Sequence, residues 1–158
     1  METRLTAGAS DTERSRYEHK QIGTVMIAGL GIGMGVAGIG FVVTGNWVAL
    51  VCGLALLVAL LLFHSLTVVV EGDWVEVVFA DGPVRKRIAL KEVGSCAVVR
   101  NRWWYGWGVR WGPGAWLYNV SGLDAVELKM KNGRRYRIGT DEPRELAKAI
   151  EEARARAT

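Results

Sequence analysis

The chain has 158 residues, half of them hydrophobic, with 20 basic side chains against 16 acidic ones and a formal charge of +4. So small an excess argues against a protein that holds nucleic acid through its phosphates. Two histidines and two cysteines without ligand-like spacing give no metal centre, cofactor site or disulfide framework to expect.

Residues 1–20 read as a polar tail, with Arg4, Arg14, Arg16 and Lys20 balanced by Glu2, Asp11, Glu13 and Glu18. It holds too little apolar material to fold alone and is expected to be disordered. From Gln21 to Val70 there is no Asp, Glu, Lys or Arg, and the only polar break is Thr44-Gly45-Asn46. The stretch 21–66 therefore predicts a transmembrane hairpin with spans at 22–43 and 47–66, each long enough for a hydrocarbon core about 30 Å thick. A cleaved signal peptide is the competing reading of the first span. Its apolar stretch exceeds a typical signal core, and a second span follows at once.

The short connection forces the spans to run antiparallel, so both chain ends lie on one side. Arg14, Arg16 and Lys20 before the hairpin and Arg85, Lys86 and Arg87 after it place that side in the cytoplasm. Gly29 with Gly33, Gly31 with Gly35, and Ala49 with Gly53 have the spacing of small residues that let helices approach closely, within the hairpin or between copies. Gly33-Met34-Gly35-Val36-Ala37-Gly38 spells a dinucleotide fingerprint in letters alone. No strand precedes it and no acidic residue follows at the required distance.

Residues 67–158 carry the whole +4 excess, since the tail is balanced and the hairpin uncharged. They read as one small domain of seven strands and a helix. Val68–Val70 and Val75–Phe79 flank a Glu71-Gly72-Asp73 turn, and Asp81-Gly82-Pro83 leads to a third strand from Val84 to Leu90. Ser95–Arg100 is the fourth strand, and after a glycine- and tryptophan-rich loop Ala115–Val120 is the fifth, ending at the turn Ser121-Gly122. In the last two, Val126, Leu128 and Met130 alternate with Glu127, Lys129 and Lys131, and Tyr136 and Ile138 with Arg135 and Arg137. A three-residue loop, Lys131-Asn132-Gly133 with Gly133 left-handed, pairs Leu128 with Tyr136 and Val126 with Ile138, whereas a two-residue turn would mix the faces. A closing helix starts near Pro143, with Thr140 or Asp141 as cap, and presents Leu146, Ala149, Ile150 and Ala153 on one side.

Arg87-Ile88-Ala89-Leu90-Lys91-Glu92-Val93, Trp103-Trp104-Tyr105-Gly106-Trp107-Gly108-Val109-Arg110, Gly114 through Gly122 and Arg137 through Pro143 together resemble bacterial membrane proteins that carry a pleckstrin-homology-like domain. The resemblance spans most of residues 67–158, and the two-span hairpin in front is common among such proteins. It implies two nearly orthogonal antiparallel sheets, of four and three strands, capped by the C-terminal helix. It also implies a multi-pass location in the bacterial inner (cytoplasmic) membrane. Activity is not implied, because the fold serves lipid binding, peptide binding and scaffolding alike. Phosphoinositide-binding members place basic residues around the first hairpin loop. Here that loop is Glu71-Gly72-Asp73, so the site is not carried over.

The stretch Arg100-Asn101-Arg102-Trp103-Trp104-Tyr105-Gly106-Trp107-Gly108-Val109-Arg110-Trp111 is too aromatic for a small core to absorb. Tryptophan and tyrosine favour the headgroup region, and arginine is drawn to anionic lipid by about 1 kcal/mol per charge. Arg100, Arg102, Trp103, Trp104, Tyr105, Trp107, Arg110 and Trp111 are therefore the candidate contact to lipid or to a partner. Arg85, Lys86, Arg87, Arg135 and Arg137 extend the basic surface. The structural alternative is that the rings cover the open end of the barrel.

Residues 67–158 contain no histidine and no recognisable nucleophile motif, so no enzyme is expected. Cys52 and Cys96 are assigned to different environments and are not expected to pair. His19 and His64 read as isolated side chains. The expected function is a non-enzymatic module held at the cytoplasmic membrane surface, contacting anionic lipid. A protein scaffold, binding a membrane protein or a copy of itself, is the alternative.

Overall fold

The computed structural model describes residues 16–157 apart from Asp81, Pro83 and Pro113. The tail expected over 1–20 therefore falls mostly outside the described residues, as do two members of the Asp81-Gly82-Pro83 turn. In chain order the elements are β1 (Tyr17–Ile22), α1 (Thr24–Thr44), α2 (Trp47–Phe63), β2 (Ser65–Glu71), β3 (Trp74–Phe79), β4 (Arg85–Ala89), β5 (Val93–Arg100), β6 (Gly108–Gly112), β7 (Ala115–Asn119), β8 (Asp124–Met130), β9 (Arg135–Gly139) and α3 (Pro143–Arg156).

Tyr17–Ile22 is not tail but a strand, paired antiparallel with β2 from Tyr17 opposite Val70 to Ile22 opposite Ser65. The helix pair is thus an insertion between two neighbouring strands of one sheet. α1 begins at Thr24 and α2 stops at Phe63, because Ile22 on one side and Ser65 and Leu66 on the other belong to the sheet. The domain boundary expected at residue 67 disappears.

The helices turn where the polar step was read. Gly45 takes the left-handed conformation that closes α1, and the Asn46 side chain accepts from the Val48 amide to open α2. α1, at 21 residues, is long and apolar enough to cross a membrane, whereas α2 is apolar throughout but shorter, at 17 residues. No residue of either helix is buried.

Two sheets follow, in the orders β1-β2-β3-β4 and β5-β8-β9-β7-β6. The four-plus-three arrangement of seven strands becomes four plus five. β1 and β6 are the additions; β6 lies inside the stretch read as a loop. One pairing, β7 with β9, is parallel, so the second sheet is not wholly antiparallel. The final hairpin follows its expectation: Leu128 lies opposite Tyr136 and Val126 opposite Ile138, with Gly133 at φ 83°.

The core lies between the sheets. β2 and β3 send in Leu66, Val68, Val70, Val75, Val77 and Phe79, and β8 and β9 send in Val126, Leu128, Met130, Tyr136 and Ile138. α3 starts at Pro143, preceded by Thr140, whose hydroxyl accepts from the Glu142 amide, and seals the core with Leu146, Ile150 and Ala153. It packs on β5, β8, β2 and the 3-10 turn Leu90–Glu92.

Candidate functional site

The helix pair leaves the sheet without a linker. The Gly23 amide donates to the His64 carbonyl at 2.7 Å, which continues the β1–β2 ladder to the foot of both helices. A Cβ on Gly23 would meet that carbonyl at 2.9 Å and the Val120 Cβ at 3.1 Å, so only glycine lets the three segments close here. Phe63 at the end of α2 packs edge-on against Phe79 of the core, with ring centroids 5.4 Å apart. The loop after β7 completes this base. Gln21 Nε2 donates to the Ser121 carbonyl, and the Thr24 and Ser121 hydroxyls are 3.0 Å apart.

The tryptophan- and arginine-rich segment attaches to the same loop. Trp107 Nε1 donates to the Gly122 carbonyl, and the Asn101 amide donates to the Leu123 carbonyl at 2.6 Å. Residues 101–107 therefore occupy the end of the domain from which the helices emerge. Between these anchors Trp103–Tyr105 forms a single 3-10 turn, closed by the Tyr105 amide on the Arg102 carbonyl. Gly106, at φ 72°, lets the chain reverse under the Arg110 guanidinium, which occupies the space of a side chain there.

The segment lies on the outer face of the second sheet, and Arg137 holds it there. Its Nε donates to Glu127 Oε2 at 2.6 Å, its Nη1 to Asn101 Oδ1 at 3.3 Å, and its guanidinium lies 5.9 Å from the Tyr105 ring centroid. Arg137 and Glu127 are only 17% and 16% exposed. Arg137, expected on a basic surface, is instead a bracket inside the fold.

The remaining residues sort by exposure. Trp103 and Trp104 are 69% and 54% exposed and meet edge to face, and Arg102 lies over the Trp104 ring at 4.8 Å. Arg100 is exposed, 3.9 Å from Asp124. Tyr105 and Trp107 are half-buried. Trp111 belongs elsewhere: it sits in β6 opposite Trp116, and Trp116 lies opposite Tyr136 near the start of β9, away from the helix end. Arg110 is exposed on the same strand. Of the other basic residues, Arg85 and Arg135 are exposed, Arg87 pairs with Glu76, and Lys86 lies 5.7 Å from the Tyr136 ring centroid.

Among the small helix residues, Gly33 faces Leu56, Gly53 faces Ala37 and Ala49 faces Gly40, so these three lie where α1 meets α2. Gly29, Gly31 and Gly35 have no neighbour within 4 Å of an added Cβ and lie off that contact.

No known protein-family model matches this chain, and no curated protein does. The site is therefore read on its own chemistry. Among the described residues there is no cluster of three or more histidine, cysteine, aspartate or glutamate side chains able to hold a metal ion. Cys96 is a half-buried thiol pushed up to about 11, first by burial and then by Glu151, with Arg154 opposing. That shift disfavours the thiolate a nucleophile needs. What the arrangement holds is two exposed indoles and Arg102 on a braced turn, with Arg100 at the end of β5 before it, beside the exit of two apolar helices.

Sequence reasoning missed what orients this site. Gln21, Gly23, Thr24 and Ser121 carry no motif, and only the spacing of β1 and β2 around the helices brings them together.

Proposed function

We propose that the chain is a membrane-anchored interaction module. In this reading α1 and α2 cross the bilayer as a hairpin, and the two sheets with α3 form a pleckstrin-homology-like domain on the cytoplasmic face. The turn at 102–104 contacts anionic lipid through Trp103, Trp104 and Arg102, joined by Arg100 at the end of β5. The observation that carries it is the shared end: the indoles sit on the rim from which the unburied apolar helices leave.

Four physical arguments support it. A helix pair that is apolar all round with nothing buried needs a nonpolar surrounding, which a bilayer supplies. Trp47, 70% exposed at the far turn of the hairpin, sits at the opposite end from Trp103 and Trp104, the spacing of two interfacial aromatic belts. The paired base also sets the domain's tilt, so a braced turn beside it meets the headgroups without ordering a flexible linker. α2 spans about 25 Å at 1.5 Å per residue, a little short of the hydrocarbon core, which draws the rim of the domain toward the interface.

The test is fluorescence of the full-length protein in vesicles containing brominated lipid, with neutral or anionic headgroups. Trp103→Phe/Trp104→Phe should remove a quenched component that is stronger on anionic vesicles and weakened by salt. Equal quenching in the variant and the parent protein would overturn the lipid contact. The same exposed indoles also support a second reading, a contact with another membrane protein, which salt would disturb less.

A further inference from the structure

The sheets differ in width, and the difference leaves a cleft on the side away from α3. Val109 and Trp111 on β6 and Trp116 on β7 share the face that carries Tyr118, Tyr136 and Ile138 into the core, because residues opposite each other across a ladder point the same way. Yet Trp111 remains 60% exposed and Trp116 39%. The four-stranded sheet stops before it reaches them. Its last strand is β4, where Lys86 lies opposite the buried Val77 and its ammonium covers Tyr136. β4 and β6 are both edge strands. Between them is a slot with the free edge of β4 on one side and the Trp111–Trp116 pair on the other, its rings edge to face at 5.5 Å.

We propose that this slot takes an extended acidic segment of another protein, which adds to β4 as a fifth strand beneath the overhanging β6–β7 hairpin. Charge selects that occupant. Strand β4 contains no Asp or Glu; Arg85 and Arg87 flank its edge on the outer face and Lys86 lies on the inner one, whereas Arg110 and Arg135 lie on the far, outer face of the second sheet. Among the described residues, Glu76 on β3 pairs with Arg87. A second copy pairing through β4 would set arginines against arginines, which opposes association. An edge guarded by positive charge against itself stays open to a strand of opposite charge.

The pleat then fixes the pattern of the ligand. Residues facing inward would pack against Trp111 and Trp116, and the alternate ones would lie beside Arg85 and Arg87 on the outer face. The segment is therefore acidic at every second position and apolar between. Lipid is not the occupant, since Trp116 lies about 16 Å along the chain from Ser121 at the helix base. This inference goes beyond the lipid contact and does not depend on it.

The experiment uses the full-length protein in nanodiscs of neutral lipid and two short fluorescent peptides, one alternating glutamate with valine and one alternating lysine with valine. The acidic peptide should bind saturably and slow hydrogen exchange in β4, and the basic one should not bind. Arg85→Glu/Arg87→Glu and, separately, the surface change Trp111→Ala should each weaken binding at least about tenfold. Trp103→Phe/Trp104→Phe should leave it unchanged, which separates this surface from the lipid contact. Absence of binding, equal binding of both peptides, or binding without protection of β4 would overturn the proposal.

Discussion

Arg137 shows how far a residue's role depends on what lies over it. In the sequence it alternates with Tyr136 and Ile138 and reads as a solvated base; in the fold it joins Glu127, Asn101 and Tyr105 into one bracket. Arg137→Ala should destabilise the protein by about 2 kcal/mol, because Glu127 is left largely buried without its partner. Chemical unfolding checks this, and tryptophan anisotropy should fall as residues 101–107 loosen. Cys96 gives a prediction in pH. Burial raises its thiol from 9.0 to about 11, so the fold favours the protonated form. The associated stability is complete below the ordinary thiol range and is lost as pH rises through about 11. Alkylation of Cys96 in the folded protein should accordingly be slow at neutral pH and accelerate only toward that value, as mass spectrometry would show. A rate matching an unfolded control would contradict the burial assigned to it.

At the scale of elements, legibility followed locality. The hairpin of β8 and β9 was readable down to its register, because one loop, one left-handed glycine and two alternating faces lie within sixteen residues. β6 was not, although Pro113-Gly114 between Val109-Arg110-Trp111 and Ala115-Trp116-Leu117 is a turn signal that could have found it. Its glycines at both ends mask a short strand. β1 was hidden for another reason: its alternate residues Tyr17, His19 and Gln21 are amphipathic, and its partner lies beyond both helices. The pairing of Ile22 with Ser65 makes a sharp prediction. Replacing residues 23–64 by Asn-Gly, which suits a two-residue hairpin loop, should yield a folded domain with cooperative thermal unfolding. The fragment 65–157, stripped of β1 with β2 left whole, should unfold at lower temperature and aggregate through the exposed edge of β2. Equal stability of the two would mean that β1 contributes nothing to the sheet.

For the whole molecule, the membrane reading predicts that the full chain stays with the membrane pellet after alkaline carbonate washing, while the Asn-Gly replacement is released; release of both would remove the anchor from the proposal. The sequence alone determined the uncharged stretch with its turn at Thr44-Gly45-Asn46, most of the strands and the face of α3 that carries Leu146, Ile150 and Ala153. These rest on composition and short-range periodicity, which the chain carries residue by residue. Tertiary structure alone decided that the helix pair is inserted within a sheet, that Trp103 and Trp104 share its end while Trp111 does not, and that Arg137 is a brace. Each of these depends on pairing between segments far apart in the chain. Such pairing is set by the closing of the core between two sheets, and no local pattern records it.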